Sequence, residues 1–167
     1  MIEISHLNVH FKDNHVLRQL TLHVQQGKSA GILGASGSGK TTLLNVLTGI
    51  PMHWEGDIQI AGKNLRDYKR KELARIQQVI FQDPYGALHP RFTIDKSFKE
   101  VARAQKIKDY EGAVTRICEK VHLPAEFRFR FPHQLSGGQR QRVIIALALM
   151  VKPKITRVAL KRVILFQ

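Results

Sequence analysis

The chain has 167 residues, 43% of them apolar, and a formal net charge of +14 from 27 basic and 13 acidic residues. This length fits one domain with a substantial core, and the composition is that of a soluble globular protein. A single cysteine, Cys118, excludes an intramolecular disulfide, and the longest apolar run, residues 143–151, is too short to span a membrane. A secreted disulfide scaffold, a membrane-spanning protein and a disordered chain are therefore excluded. We expect a cytoplasmic protein, because the N-terminus also has no secretion signal.

The charge is distributed unevenly along the chain. All 13 acidic residues lie between Glu3 and Glu126, whereas residues 127–167 contain 9 basic residues and no acid. A strongly basic surface is typical of proteins that bind the phosphate backbone of nucleic acids, so that interpretation stays open. We favour the alternative that a few local features and an unusual C-terminal segment raise the total charge.

The predicted elements begin with strands. Loose alternation of apolar residues predicts a strand over residues 2–11 and a second over residues 16–24. A short apolar run over residues 29–33 leads into a glycine-rich stretch, and a helix is predicted from about residue 40 to 48. Gly49 is placed to end that helix, because glycine is the usual residue just past a helix C-terminus.

The second half of the chain is mainly helical in its pattern. Short strands are predicted over residues 56–61 and 78–81, and from about residue 90 to 151 the apolar periodicity is that of helices. This order of elements predicts an α/β protein with a helical insertion.

A phosphate-binding motif stands between the third predicted strand and the first helix. It fits the pattern G-x-x-x-x-G-K-[ST] and defines the phosphate loop, residues 34–41: Gly34, Ala35, Ser36, Gly37, Ser38, Gly39, Lys40 and Thr41. Glycines let successive amides turn inward around an anion, and the helix N-terminus adds partial positive charge. Lys40 can reach the β- and γ-phosphates and the Thr41 hydroxyl can bind Mg²⁺. The alternative is a flexible turn with a chance lysine, but the flanking strand and helix favour a nucleoside triphosphate site.

A second glycine segment, residues 135–139, precedes an apolar helix. Its residues are Leu135, Ser136, Gly137, Gly138 and Gln139. Two glycines that open a helix can also expose amides to an anion. Taken alone the pattern is weak, because Ser136 can simply cap the helix.

The two glycine segments together resemble the ATP-binding subunits of ABC transporters. Gln82, in VIFQDP, occupies the family's Q-loop position, and Phe11, 29 residues before Lys40, stands where the family stacks an aromatic ring on adenine. The alternative for Phe11 is a core residue at a strand end. The phrases FQDPYGALHPRFTI and RFPHQLSGGQRQRV are similar to the subgroup that imports oligopeptides, dipeptides and nickel.

The resemblance implies a fold: a P-loop NTPase (RecA-like) core with N-terminal antiparallel β strands and an α-helical signature subdomain, incomplete at the C-terminus. It implies a partial nucleotide-binding domain over residues 1–154. Within it, residues 1–88 form the β-rich core and residues 89–150 the helical subdomain. Residues 155–167 are expected to be a divergent basic and apolar tail.

The resemblance also implies a site and partners. ATP is expected on the phosphate loop with Thr42, Phe11 and Gln82, and Mg²⁺ on Thr41 and Gln82. Lys40 and Gln82 are the expected catalytic residues. The second glycine segment is expected to face the γ-phosphate of a second, head-to-tail ATP-binding subunit. An integral membrane permease is the other expected partner, so the chain would be peripheral on the inner face of the cell membrane; nucleic acid is not expected as a partner.

The sequence departs from the family after Lys154. Members continue with an apolar strand ending in Asp-Glu, the Walker B pair that holds Mg²⁺ and polarises water, and no acid follows Glu126 here. The D-loop and switch histidine are absent too, and Leu147 replaces a usual arginine. We therefore expect a truncated ABC ATPase that binds ATP, does not hydrolyse it alone, and has an exposed sheet edge that makes it marginally stable. The alternative is a genuine short protein whose last strand, roughly residues 158–166, completes a reduced sheet.

Two other functions stay open. One is a soluble ABC-type ATPase acting on nucleic acid or the ribosome, which the basic charge keeps in play. The other is a non-catalytic regulatory fragment that pairs with an intact subunit. The eight histidines are not spaced as metal ligands, and the solute is set by other chains.

Overall fold

The computed structural model describes residues 1–11, 14–81, 86–159 and 163–166, so the predicted nucleotide ligand Gln82 lies outside the described residues. The chain divides into two compact units. The first comprises Met1–Val79 with Lys154–Gln167, and the second comprises Ile80–Pro153.

The strands and the two short helices of the chain lie mostly in the first unit. In chain order they are β1 (Ile2–Phe11), β2 (Asn14–Val24), β3 (Ala30–Leu33), α1 (Lys40–Leu47), β4 (Trp54–Ile60), β5 (Lys63–Asn64), α2 (Arg70–Ile76), β6 (Gln77–Phe81), β7 (Ile155–Ala159) and β8 (Val163–Phe166). The strands form two four-stranded sheets, ordered β2-β1-β4-β5 and β3-β8-β7-β6. The sequence predicted most of these elements. The basic residues Lys69, Arg70 and Lys71 are interpreted from the sequence as a solvated helix face, which α2 confirms, whereas β5 was not predicted.

The first sheet is antiparallel throughout and is bent in the middle of β1. Ile2 pairs with Val24 on β2 and with Ile60 on β4, and the register shifts beyond Ile4. Gly56 lies opposite the bend with φ +104, and a Cβ there would lie 2.6 Å from the carbonyl oxygen of His6. The bend therefore needs glycine at this position.

The core of the first unit lies between the first sheet and α1. Alternate residues of β1 and β4 contribute to it, and α1 contributes one apolar face; its fully buried members include Ile2, Ile4, Leu7, Val9, Leu43, Leu47, Ile58 and Ile60. Burial of each such side chain contributes about 2 kcal/mol to folding. This packing fixes the helix that begins at the phosphate loop.

The second sheet contains the C-terminal segment. β7 and β8 form an antiparallel pair, and β8 lies beside β3 with Leu33 opposite Val163. The alternative interpretation, a genuine short protein, had one strand over roughly residues 158–166, whereas the structure has two shorter strands, β7 and β8. Within the described ranges no strand covers the other side of β3, and Leu33 is 75% exposed. This strand is therefore a sheet edge.

The second unit is helical. Its helices are α3 (Ile94–Ala104), α4 (Tyr110–Lys120) and α5 (Gly137–Met150), with two 3-10 turns at Ala125–Phe129 and Pro132–Gln134. Each helix starts at a side-chain cap: Thr93 accepts a bond from the Lys96 amide, Asp109 from Gly112, and Ser136 from Gln139. Such caps stabilise a helix by about 1 kcal/mol each. No helix in the described parts of the chain is long and apolar enough to cross a membrane.

A network of charged groups ties the first 3-10 turn to α3 and α4. Asp95, 8% exposed, contacts Lys99 at 2.8 Å, the Arg128 guanidinium at 3.1 Å and the Tyr110 hydroxyl at 2.7 Å. Arg128 also forms a two-pronged pair with Glu111. Burial opposes ionisation of Asp95, but the bonds from Lys99 and Tyr110 and the charge of Arg128 outweigh it and lower its pKa.

Candidate nucleotide-binding site

The phosphate loop joins the end of β3 to the start of α1. Gly39 immediately precedes the helix with φ +85, a left-handed conformation, and a Cβ there would lie 2.7 Å from the Leu17 side chain. The loop can therefore turn into the helix only because this residue has no side chain.

Lys40 points back into the loop. Its Nζ donates hydrogen bonds to the carbonyl oxygens of Gly34 at 2.7 Å and Ala35 at 2.5 Å, and to the Ser38 hydroxyl at 3.2 Å. An ammonium has three donors, so the loop holds the lysine in one orientation at its centre. A Cβ on Gly34 would lie 2.5 Å from the Ser38 hydroxyl, so a side chain there would displace the hydroxyl that contacts Lys40.

The start of α1 offers unpaired amides. The Leu43 amide donates to the Gly39 carbonyl at 2.9 Å, so the amides of Lys40, Thr41 and Thr42 lie before the first full helical turn. The helix has no side-chain cap and no acidic residue in its first turn. These amides and the helix dipole favour an anion at this end. Together with Lys40 they fit the phosphates of a nucleotide.

The residues around the loop offer little else for a metal. Thr41 is exposed in the first turn of α1, where its hydroxyl is accessible. Among the described residues there is no group of three or more His, Cys, Asp or Glu side chains that could hold a metal ion. Of the two predicted Mg²⁺ ligands, Thr41 is described and Gln82 lies outside the described residues.

Phe11 ends β1 at the surface. Its side chain is 49% exposed, so the ring is not the core residue that was the alternative interpretation. A flat ring with an exposed face can stack on a base.

The second glycine segment forms the capped start of α5. Ser136 accepts a bond from the Gln139 amide at 3.3 Å, and the Gln139 side chain accepts one from the Ser136 amide at 2.9 Å. Leu135 is buried, while Gly137 and Gly138 are exposed and a Cβ on either would meet nothing within 4 Å. This chain's own packing therefore does not require glycine there. The cap is real, but it does not explain the two glycines.

Arg140 holds this segment in place and was not singled out from the sequence. Its Nε donates to the carbonyl oxygens of Pro132 at 2.7 Å and Leu135 at 3.1 Å. Its position in the sequence could have predicted this role, because a basic residue in the first turn of a helix can reach back to the carbonyl oxygens of the preceding turn. The phosphate loop and the second glycine segment belong to different compact units.

The histidines and the cysteine that could serve as metal ligands or nucleophiles contact other side chains or are buried. His6 contacts Gln19 at 3.0 Å, and His10 stacks on His15 with ring centroids 3.9 Å apart. Cys118 is buried on α4, and burial raises the pKa of its thiol. It is therefore not an activated nucleophile.

Comparison with known proteins identifies similar chains. The family described as ABC transporter matches residues 17–157. A dipeptide transport ATP-binding protein of Haemophilus influenzae is 37% identical over 142 residues, which are 81% of this chain and 43% of that protein. The chain spans half or less of the length of the curated relatives it matches.

Solved structures agree with the fold. The structure of cbiO1 from Clostridium perfringens, part of the ABC transporter complex cbiONQ, superposes with a TM-score of 0.78 at 27% identity. The superposition covers 94% of this chain and 64% of the cbiO1 chain. A dimeric ATP-binding cassette in a post-hydrolysis state, bound to ADP and Pi, gives a TM-score of 0.74 at 26% identity, with 95% of this chain and 73% of the other covered.

Proposed function

The chain belongs to the ABC transporter family, and from this premise we propose that it is the ATP-binding subunit of a peptide importer. One observation carries the proposal: the phosphate loop surrounds Lys40 Nζ with three acceptors and leaves the first amides of α1 without helical partners. A triphosphate supplies oxygens to those donors.

The loop binds phosphate through position and charge. On binding, the Lys40 ammonium exchanges loop carbonyls for β- and γ-phosphate oxygens, which are charged acceptors and bind more strongly. The amides of Thr41 and Thr42 donate to the same anion, and the α1 dipole adds to the attraction. Bound Mg²⁺ neutralises part of the phosphate charge, and the Thr41 hydroxyl and Gln82 are its proposed protein ligands. Phe11 stacks on the adenine.

The chain binds ATP without turning it over by itself. Residues 127–167 contain no Asp or Glu, so the segment where the family places its magnesium-binding and water-activating acids has neither. Lys40 and Gln82 can bind and sense the γ-phosphate, but residues 127–167 offer no carboxylate to polarise water. This favours a subunit that contributes one binding surface to a complex, as the non-catalytic alternative requires.

The partners follow from the relatives. A dimeric cassette among the similar structures supports pairing with a second ATP-binding subunit. The open space around Gly137 and Gly138 supports a close approach from outside the chain, where their amides face the other subunit's γ-phosphate. The relative named for dipeptide transport supports a peptide solute over nickel, with a membrane permease as the other partner and a place on the inner face of the membrane.

Calorimetric titration with ATP and Mg²⁺ tests the binding site. We expect saturable binding by the full chain, and a loss of about thirtyfold or more in affinity for Lys40→Ala, because a charged hydrogen bond to phosphate is removed. Lys71→Ala is the matched control: Lys71 is exposed on α2, and within the described ranges it has no hydrogen bond or ion pair. Equal affinity of Lys40→Ala and wild type would contradict the proposal.

Phosphate release by the purified chain tests the absence of turnover. We expect no release above that of the Lys40→Ala variant. Release by the wild type that Lys40→Ala abolishes would show that the chain activates water without the acids, and would overturn this part of the proposal.

A further inference from the structure

The second unit contains a cavity that has no part in nucleotide binding. It measures about 390 Å³ and lies along α4, beside the ends of α3 and α5. Cavities of roughly 300 to 1,000 Å³ are the size that hold small ligands.

Part of the cavity lining is apolar. The apolar lining residues are Ile107, Ala113, Ile117, Leu149, Met150 and Val151, of which Met150 is buried and the others are half-buried. This surface can bury a hydrocarbon chain, at about 25 cal/mol for each Å² removed from water.

The exposed residues of the lining are mostly basic. They are Arg116, Lys120 and Lys152, with one acid, Asp109, and the neutral Gln105 lies beside them in the lining. The carboxylate of Asp109 has partners on its own helix. One oxygen accepts a hydrogen bond from the Gly112 amide, and the other forms an ion pair with Arg116 at 3.1 Å, so Asp109 does not neutralise the lysines. Lys120 and Lys152 are exposed, and within the described ranges neither has an acidic partner. The uncompensated charge of the cavity lining is therefore positive.

We propose that this cavity binds a free amphiphilic carboxylate, a single hydrocarbon chain with its anionic head at Lys120 and Lys152. The apolar lining residues favour the hydrocarbon chain, and the two exposed lysines, which have no acidic partner among the described residues, favour a negative head over a neutral or positive one. The site is independent of the phosphate loop, which belongs to the other compact unit.

Lys152 allows a variant that removes charge without loss of folding. Its backbone has φ +52, a left-handed conformation in which glycine is more comfortable than lysine. Lys152→Gly therefore removes the ammonium while relieving backbone strain. Lys106 is the matched control: it has φ +54 at the end of α3, but it does not line the cavity.

Decanoate titrated into the full chain tests the proposal, with backbone amide shifts measured by NMR. We expect shifts centred on Ile107, Ile117 and Val151, and binding at least tenfold tighter than that of decyltrimethylammonium, which has the same chain and the opposite charge. Lys152→Gly and Lys120→Gln should each weaken decanoate binding about threefold, because each removes one exposed ionic contact. Lys106→Gly and Lys40→Ala should leave the affinity for decanoate unchanged.

Several results would overturn the proposal. Equal binding of decanoate and the ammonium would remove the role of the charged rim, and shifts elsewhere in the chain would remove the cavity. Equal weakening by Lys106→Gly and Lys152→Gly would assign the effect to net charge. Ala113→Phe fills the cavity, so unchanged decanoate binding by this variant would contradict it as well. Binding to phosphatidylglycerol vesicles without decanoate shifts would assign the lysines to a lipid surface.

Discussion

In the phosphate loop, a Cβ on Gly39 would lie 2.7 Å from Leu17, whereas at the start of α5 a Cβ on Gly137 or Gly138 would meet nothing within 4 Å. The first glycine is required by the fold of this chain and the other two are not. Two segments with similar composition therefore differ in what constrains them. The phosphate loop is built by packing within one chain, and the second glycine segment has room for something that this chain does not supply.

The largest expected effect comes from adding one methyl group to the phosphate loop. Gly39→Ala places a side chain in a left-handed conformation and against Leu17, so we expect it to lower the free energy of unfolding by about 3 kcal/mol. Urea denaturation followed by circular dichroism measures this. A loss below about 0.5 kcal/mol would mean that Leu17 moves aside and that packing does not define the loop.

The two compact units are expected to differ in how their stability depends on pH. Among the described residues, the carboxylates with lowered pKa values are Asp95, Asp109 and Glu111, and all three lie in the second unit. Their folded pKa values are below the unfolded ones, so their contribution is complete above the ordinary range near pH 4 and is lost as pH falls through the folded values.

We therefore expect the second unit to lose stability first in acid. Between pH 7 and pH 3, hydrogen exchange corrected for intrinsic rate should accelerate in α3 and α4 relative to α1. The change is on the order of tenfold per pH unit for each extra proton bound on opening. Equal acceleration in α1 would show that the ion network around Asp95 does not set the acid response.

Removal of the α5 cap has a smaller effect. Ser136→Ala deletes the acceptor for the Gln139 amide, and we expect a loss of about 1 kcal/mol in thermal or urea unfolding. Ser136→Asn restores an acceptor and serves as the control. If both variants lose equal stability, the hydroxyl acts through something other than capping.

The smallest effect has the opposite sign. Gly138→Ala adds a methyl group in open space within α5, so we expect it to stabilise the chain by about 0.5 kcal/mol while weakening ATP-dependent pairing with a second subunit. Unfolding and sedimentation with ATP measure the two quantities. Stabilisation without any loss of pairing would mean that this glycine is not an interface residue.

The sequence predicted the elements whose signals are local. α1 follows a phosphate-loop motif and precedes Gly49, and β1 alternates in the expected way, so both were located within a few residues. β5 was missed because it consists only of Lys63 and Asn64. A strand this short has no alternation of apolar and polar residues by which the sequence could reveal it.

Long-range contacts account for the other differences. Arg128 contacts Asp95 and Glu111 only when α3, α4 and the 3-10 turn that contains Arg128 are packed together. The spacing of these residues in the sequence therefore does not predict the ion network. The exposed position of Phe11 could not be distinguished from a buried one by alternation alone. The division of the tail into β7 and β8 depends on β3 as a distant partner, which local propensity does not include.

The pairing of β3 with β8 has a consequence for how the molecule forms. β3 leads directly into the phosphate loop, yet its neighbour in the sheet, β8, lies far later in the sequence. During synthesis on the ribosome, β3 has no partner strand until residues 163–166 have emerged. Contacts between such distant segments form late because the closure of a long loop comes first. The nucleotide loop is therefore expected to mature after the helices of the second unit, although it is encoded before them.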